Sequence, residues 1–106
     1  MGLFDFLNQP DINQGIKEYI QNPSAVLLDV RTVQEYRRGH IPGSKNVPLQ
    51  SIDKVTSVVK NKNTVLYIYC QSGARSRQAN TMLRHMGYTN VNNIGGFAAY
   101  IGKVER

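Results

Sequence analysis

Apolar residues run along this chain in two alternating rhythms. Ala25-Val26-Leu27-Leu28-Asp29-Val30 and Thr64-Val65-Leu66-Tyr67-Ile68-Tyr69 are short, nearly unbroken apolar runs rich in β-branched and aromatic side chains. Such runs predict strands buried on both faces, the condition of a parallel sheet covered by helices. Before the first and after the second, the apolar residues are spaced at helical intervals. Ile12, Ile16, Tyr19 and Ile20 form one stripe, and Ala79, Met82, Leu83 and Met86 fall at i, i+3, i+4 and i+7. Strands alternating with helices predict a three-layer α/β domain: a small, mostly parallel sheet with helices on both faces.

The polar punctuation places the boundaries. Asp11 is expected to cap the first helix, with Gln14 completing a capping box, and Asn22-Pro23 stops it. Thr32-Val33-Gln34-Glu35 is a second capping box, ended by Gly39. His40-Ile41-Pro42-Gly43 reads as an irregular turn and Asn46-Val47-Pro48 as a brief strand. Ser51 is expected to cap a helix carrying Ile52, Val55 and Val59, and Asn61-Lys62-Asn63 breaks the chain before the central strand. A helix over Ser76–Met86 ends at Gly87. Val91–Ile94 is read as the last strand, Gly95-Gly96 as a turn and Phe97–Val104 as a final helix. Residues 1–10 are a short N-terminal extension or edge element, in which residues 3–7 form either a strand or a helical turn. The whole of 1–106 is read as one domain.

Charge and cysteine count narrow the setting. No apolar run is long enough to predict a membrane span. The N-terminus lacks a basic leader region, and Phe6 stands where a myristoylation signal has Ser or Thr. A single cysteine excludes an internal disulfide, and with two histidines it is too few ligands for a structural zinc site. A reduced, cytoplasmic monomer with no metal and no cofactor is expected. The net charge is +6, and from Cys70 to Met86 there are three arginines, Arg75, Arg77 and Arg84, and no acid. That field suits a small anionic substrate or an acidic partner protein. Nucleic acid is not expected, because no stacking-aromatic or zinc-finger pattern accompanies the charge. For Arg77 and Arg84 themselves, contact with a partner competes with plain solvation, and solvation is favoured.

The candidate chemistry sits where the central run meets a helix. Cys70 opens the loop Cys70-Gln71-Ser72-Gly73-Ala74-Arg75-Ser76. Backbone N–H groups at a helix N-terminus lack intrahelical partners and carry partial positive charge, so the loop can form an anion cradle. Such surroundings, with a cation such as Arg75 nearby, stabilise a thiolate. The competing reading makes Cys70 a small buried apolar residue. Its place at the end of a parallel strand, where open α/β folds put their ligands, favours the reactive one. Asp29 and Arg31 read as a buried ion pair supporting the loop. His40 is expected to fix local backbone rather than act as a base. Ser72 either bonds a substrate or turns the loop.

Taken together, these elements resemble the rhodanese family of single-domain sulfurtransferases, over roughly Asp11 to Val104. Asp29-Val30-Arg31 is similar to the family's Asp-x-Arg element. Tyr36-Arg37-Arg38-Gly39-His40-Ile41-Pro42-Gly43-Ser44 resembles its amino-terminal signature, with Ser44 where alanine is usual. Cys70–Ser76 resembles its Cys-x-x-Gly-x-Arg-Ser loop, and Gly95-Gly96-Phe97-Ala98-Ala99-Tyr100 its carboxy-terminal element, with Tyr100 where tryptophan is frequent. The resemblance implies that Cys70 takes a sulfane sulfur from a donor such as thiosulfate. It would pass that sulfur, held as a persulfide, to a thiophilic acceptor, cyanide or a thiol. It implies that the backbone N–H groups of Gln71, Ser72, Gly73, Ala74 and Arg75 bind the persulfide anion, with Asp29, Arg31 and Ser76 in support. Two other functions compete: a cysteine-thiolate phosphatase or arsenate reductase, whose loop also ends in arginine but has one residue more, and a persulfide-carrying interaction module.

Overall fold

The computed structural model describes residues 10–106. The expectation for residues 3–7 lies outside them. Four strands, β1 (Val26–Asp29), β2 (Lys45–Asn46), β3 (Val65–Cys70) and β4 (Asn90–Gly96), form one sheet in the order β2-β1-β3-β4. Every pairing is parallel. The helices are α1 (Ile12–Ile20), α2 (Val33–Arg38), α3 (Val55–Val58) and α4 (Ala74–His85), with 3-10 turns at Leu49–Lys54 and Phe97–Ala99.

The alternation of side chains along β3 divides the interior in two. Leu66, Ile68 and Cys70 face one layer, where they pack with Leu28, Ile52, Val55, Ala79 and Leu83. Tyr67 and Tyr69 face the other, with Ile12, Ile16, Leu27 and Ile94. Burying each large aliphatic side chain contributes roughly 1.5–3 kcal/mol. The sheet is therefore held from both sides, and the C-terminal end of its central strand is fixed in depth and direction.

The capping predictions explain two of the helix starts. The Asp11 carboxylate accepts from the N–H groups of Asn13 (3.0 Å) and Gln14 (3.5 Å). No reciprocal bond from the Gln14 side chain is found among the described residues. At α2 the box is complete: Thr32 Oγ accepts from Glu35 N–H, and the Glu35 carboxylate accepts from Thr32 N–H.

Elsewhere the sequence expectations shift. The brief strand is Lys45–Asn46, because Pro48 has no N–H to continue it. Ser51 caps nothing. It sits at a kink inside the 3-10 turn (φ −121°, ψ 29°), which Pro48 begins, and only α3 beyond it is α-helical. Gly95-Gly96 belong to β4 rather than to a turn. Phe97–Val104 is no helix. After one 3-10 turn the chain runs irregularly, since Ile101 is 87% exposed and the segment has no apolar stripe to bury. Its end is instead tied to the body by an antiparallel bridge, His40 N–H to Glu105 O (2.8 Å) and Glu105 N–H to His40 O (2.9 Å).

Candidate active site

The site is built where β3 delivers Cys70 into the turn that starts α4. Gly73 makes that turn at φ +98°, a conformation glycine adopts without penalty, and serves as the N-cap of α4. Its N–H donates to Cys70 Sγ at 2.9 Å. Ser76 Oγ lies 3.4 Å from the same sulfur. The Ser76 hydroxyl is also within bonding distance of Asn93 Oδ1 (2.7 Å) and Gly73 O (3.0 Å). Asn93 reaches it because β4 bulges: Ile68 pairs with Asn93 but Tyr69 with Gly95, leaving Ile94 unpaired. The bulge sends Ile94 into the α1-side core, and Asn93 Oδ1 also accepts from Gly95 N–H at 3.0 Å.

Cys70 is wholly buried. Burial alone pushes its thiol up, yet the net shift is downward. The Ser76 hydroxyl and the backbone N–H groups of Ser76, Gly73 and Ser72 hydrogen-bond the thiolate and outweigh the desolvation. The stabilising donors are thus Ser72, Gly73 and Ser76. Gln71, Ala74 and Arg75 take other positions around them. Gln71 O accepts from Ala98 N–H at 3.1 Å, and Ala74 is exposed at the first turn of α4. Gly96 lies against the loop so closely that a Cβ there would stand 2.7 Å from Gln71 O and 2.9 Å from the Ser72 carbonyl carbon.

The arginines do not stand where charge alone suggests. Arg75 forms a two-pronged ion pair with Glu35, at 2.7 and 2.9 Å. It attracts the thiolate through space, but its fork is committed to the carboxylate. That hydrogen-bonded pairing, helped by the Thr32 N–H and hydroxyl, lowers the Glu35 carboxyl to about 2 against the opposing effect of burial. Arg31 and Asp29 are both buried and paired through two guanidinium nitrogens, Nη2 at 2.7 Å and Nε at 3.0 Å. Arg31 also donates to Gly39 O (2.7 Å) and Gln71 Oε1 (3.2 Å), and its guanidinium lies 4.4 Å from the centre of the Phe97 ring. It therefore ties β1, the end of α2, the loop and the segment after β4 together. Burial works to lower its pKa, but the bonds to Asp29 prevail and raise it.

Other singled-out residues are structural. His40 Nδ1 is 2.9 Å from Tyr36 O, and its ring stacks on Tyr36 at 3.7 Å. Ser44 Oγ accepts from the buried Tyr69 hydroxyl at 3.2 Å. Arg84 is not simply solvated: it bonds Asn80 Oδ1 and Val91 O, clipping α4 to β4. Arg77 is exposed and lines a small cleft beside Ser72 and Gly73. A larger cleft of about 440 Å³ lies on the other side of Gln71, bounded by Arg31, Glu35, Arg38, Phe97 and Arg106.

Three of these residues are absent from the sequence-based site. Glu35 is legible only as a capping residue, and its second role needs the tertiary fold. Asn93 carries a faint signal, a polar residue inside a strand run. Gly96 gives none beyond being one of a glycine pair.

A thiol at the C-terminal end of a central parallel strand, cradled by helix-terminal N–H groups, marks an α/β protein with its candidate site at the strand end. The chain belongs to the rhodanese-like domain family, whose model matches residues 13–103. Thiosulfate sulfurtransferase PspE of Escherichia coli K12 is 39% identical over 70 residues, 65% of this chain and 67% of that protein. Among solved structures, a rhodanese with anions from E. coli is 32% identical with a TM-score of 0.73. It covers 77% of this chain and 98% of its own. A Staphylococcus saprophyticus protein reaches a TM-score of 0.78 at 29% identity, covering 92% of this chain and 98% of its own. The chain spans only 53% and 64% of two longer Bacillus subtilis relatives.

Proposed function

We propose that the protein is a sulfurtransferase of the thiosulfate type, working through a persulfide on Cys70. The observation that carries this reading is the arrangement of N–H and hydroxyl donors around one buried sulfur, which lowers its pKa without a neighbouring base. The thiolate attacks the outer sulfur of thiosulfate, the S–S bond of the donor breaks, and sulfite leaves with the bonding electrons. The terminal sulfur of the persulfide is then an anion held by the N–H groups of the loop, positioned as oxyanion-hole donors are. Cyanide or a thiolate attacks that sulfur, and Cys70 returns as thiolate. The relatives named thiosulfate sulfurtransferase support this reading. Other relatives carry different names, such as tRNA uridine(34) hydroxylase, of which this chain spans 31%.

The phosphatase alternative fits less well. Only four residues separate Cys70 from Arg75, and the guanidinium that would hold phosphoryl oxygens is already forked onto Glu35. The test is a pair of assays on one preparation. Incubation with thiosulfate should add one sulfur atom to the mass, cyanide should remove it as thiocyanate, and Cys70→Ser should do neither. Turnover of an aryl phosphate dependent on Cys70, with no sulfur adduct, would replace this proposal with the phosphatase. A sulfur adduct that cyanide and thiols fail to remove would make the chain a persulfide-carrying module.

A further inference from the structure

The two arginines nearest the loop are each neutralised. Asp29 occupies Arg31 and Glu35 occupies Arg75, both through two nitrogens. An anion that recruited Arg31 would first have to break a buried pair, which costs more than the new contact returns, and the Arg75 fork is already filled by Glu35. The charge on offer in the large cleft comes from Arg38 and Arg106. Neither makes an ion pair among the described residues. Arg106 Nε donates to the Arg38 backbone carbonyl at 2.8 Å, and the His40–Glu105 bridge fixes the strand of chain that brings Arg106 there. Both arginines line the cleft, and cationic side chains around a concave site favour an anion in it.

The size of the cleft narrows the anion. At about 440 Å³ it matches pockets that hold small organic molecules. Thiosulfate has five heavy atoms and fills the volume of only a few waters, roughly 100 Å³ at the ~30 Å³ of each water. Phe97 and Val104 add apolar surface to the lining.

We infer that Arg38 and Arg106 form a subsite for the acidic group of an organic thiol, the sulfur acceptor of this enzyme. The inference rests on the sulfur-transfer reading and names the acceptor class for it. The thiolate of the bound acceptor attacks the outer sulfur of the Cys70 persulfide. A new S–S bond forms on the acceptor, the Cys70–sulfur bond breaks, and Cys70 keeps the electron pair as thiolate. The outer sulfur, already an anion, leaves as the terminal sulfur of the acceptor's persulfide. Arg38 and Arg106 contribute no bond-making step and set only which thiol is preferred.

The test loads Cys70 with thiosulfate, removes excess donor, and follows single-turnover discharge by mercaptosuccinate, mercaptoethanol and cysteamine. These thiols are dianionic, neutral and cationic in their non-thiol groups. Arg38→Gln, Arg106→Gln and the double variant are compared with the parent for each thiol, so intrinsic nucleophilicity cancels. The apparent KM for mercaptosuccinate should rise about fivefold per arginine lost, the ratio for ~1 kcal/mol of partly exposed pairing. Discharge by mercaptoethanol should not change, and cysteamine should improve. A parallel NMR titration with succinate, which transfers no sulfur, should shift the Arg38 and Arg106 Nε–H signals. Failure to load Cys70 while succinate still binds there would sink the sulfur-transfer reading and leave the anion subsite. Normal loading with the same charge preference in the double variant, or with no succinate shifts, would overturn the subsite alone.

Discussion

Gly96→Ala tests whether the loop's chemistry depends on how tightly β4 backs it. The backbone at Gly96 has φ −114° and ψ 133°, so alanine fits the conformation without strain. What alanine cannot avoid is the loop: its Cβ would stand 2.7 Å from Gln71 O, 2.9 Å from Ser72 C and 3.0 Å from Ser72 Cα. A carbon–oxygen contact normally settles at about 3.3–3.6 Å, so the loop must retreat by roughly 0.6 Å or more. All three neighbours are main chain, with no side chain to swing aside. The Ala98 N–H bond to Gln71 O (3.1 Å) and the Gly73 N–H bond to Sγ (2.9 Å) would lengthen together. Overpacking of this kind costs about 1–3 kcal/mol, which lowers Tm by roughly 5–15 °C in a domain of this size. Misplacing donors by up to 1 Å costs about 10–100-fold in rate. Ultraviolet titration of the thiolate, with Cys70→Ser as baseline, should show the midpoint rising, and persulfide formation from thiosulfate should slow in step. Gly87→Ala is the control. Its φ of +101° strains alanine just past the C-terminal end of α4, the end away from the sulfur, so it should lower Tm without moving the titration. A Gly96→Ala protein with the parent's titration midpoint and rate would refute the reasoning.

Ser76→Ala removes the hydroxyl that bonds the sulfur, so the thiolate midpoint should rise and sulfur loading at neutral pH should slow; unchanged titration would assign the shift to backbone N–H groups alone. Glu35→Gln keeps an acceptor for Thr32 N–H but removes the charge facing Arg75, and should cost about 0.2–1 kcal/mol at pH 7. Because the folded Glu35 value is depressed, that contribution is complete above the ordinary 4.5 and is lost as pH falls through about 2. The Tm difference between parent and variant should therefore shrink across that acid window, and a difference constant down to pH 2 would argue against the pair. Arg31→Leu leaves Asp29 charged, buried and unpaired, and should cost on the order of 3–5 kcal/mol. A melting temperature equal to the parent's would show that Arg31 serves binding rather than support.

The elements with the strongest periodicity were the most legible. The two continuous apolar runs gave the central strands, and Thr32-Val33-Gln34-Glu35 gave a helix start complete in both hydrogen bonds. The placement of Cys70 was readable because it depends on local order, strand then turn then helix. What escaped was set by distant partners. The charge of Arg75 was expected on the sulfur, yet Glu35, forty positions earlier, takes its fork. The contribution of Asn93 depends on a one-residue bulge that no local pattern announces. The supposed last helix had apolar residues in about the right number, but Phe97 and Tyr100 stack at 5.9 Å instead of sharing a helical face. Ser51 had the residue type of a cap without the geometry, because Pro48 had already started the turn.

The all-parallel sheet has a consequence for when the protein becomes reactive. Neighbouring strands come from remote parts of the chain: Val26 lies beside Leu66, and Leu66 beside Val91. Such non-local pairing closes late and slowly in folding. The groups that acidify the sulfur are secured by that closure, since Ser76 is held by Asn93 of β4 and the loop backs onto Gly96 of the same strand. In a nascent or heat-loosened chain the lone cysteine is an ordinary thiol, mostly protonated near neutral pH. The acidity of this thiol is therefore coupled to completion of the fold.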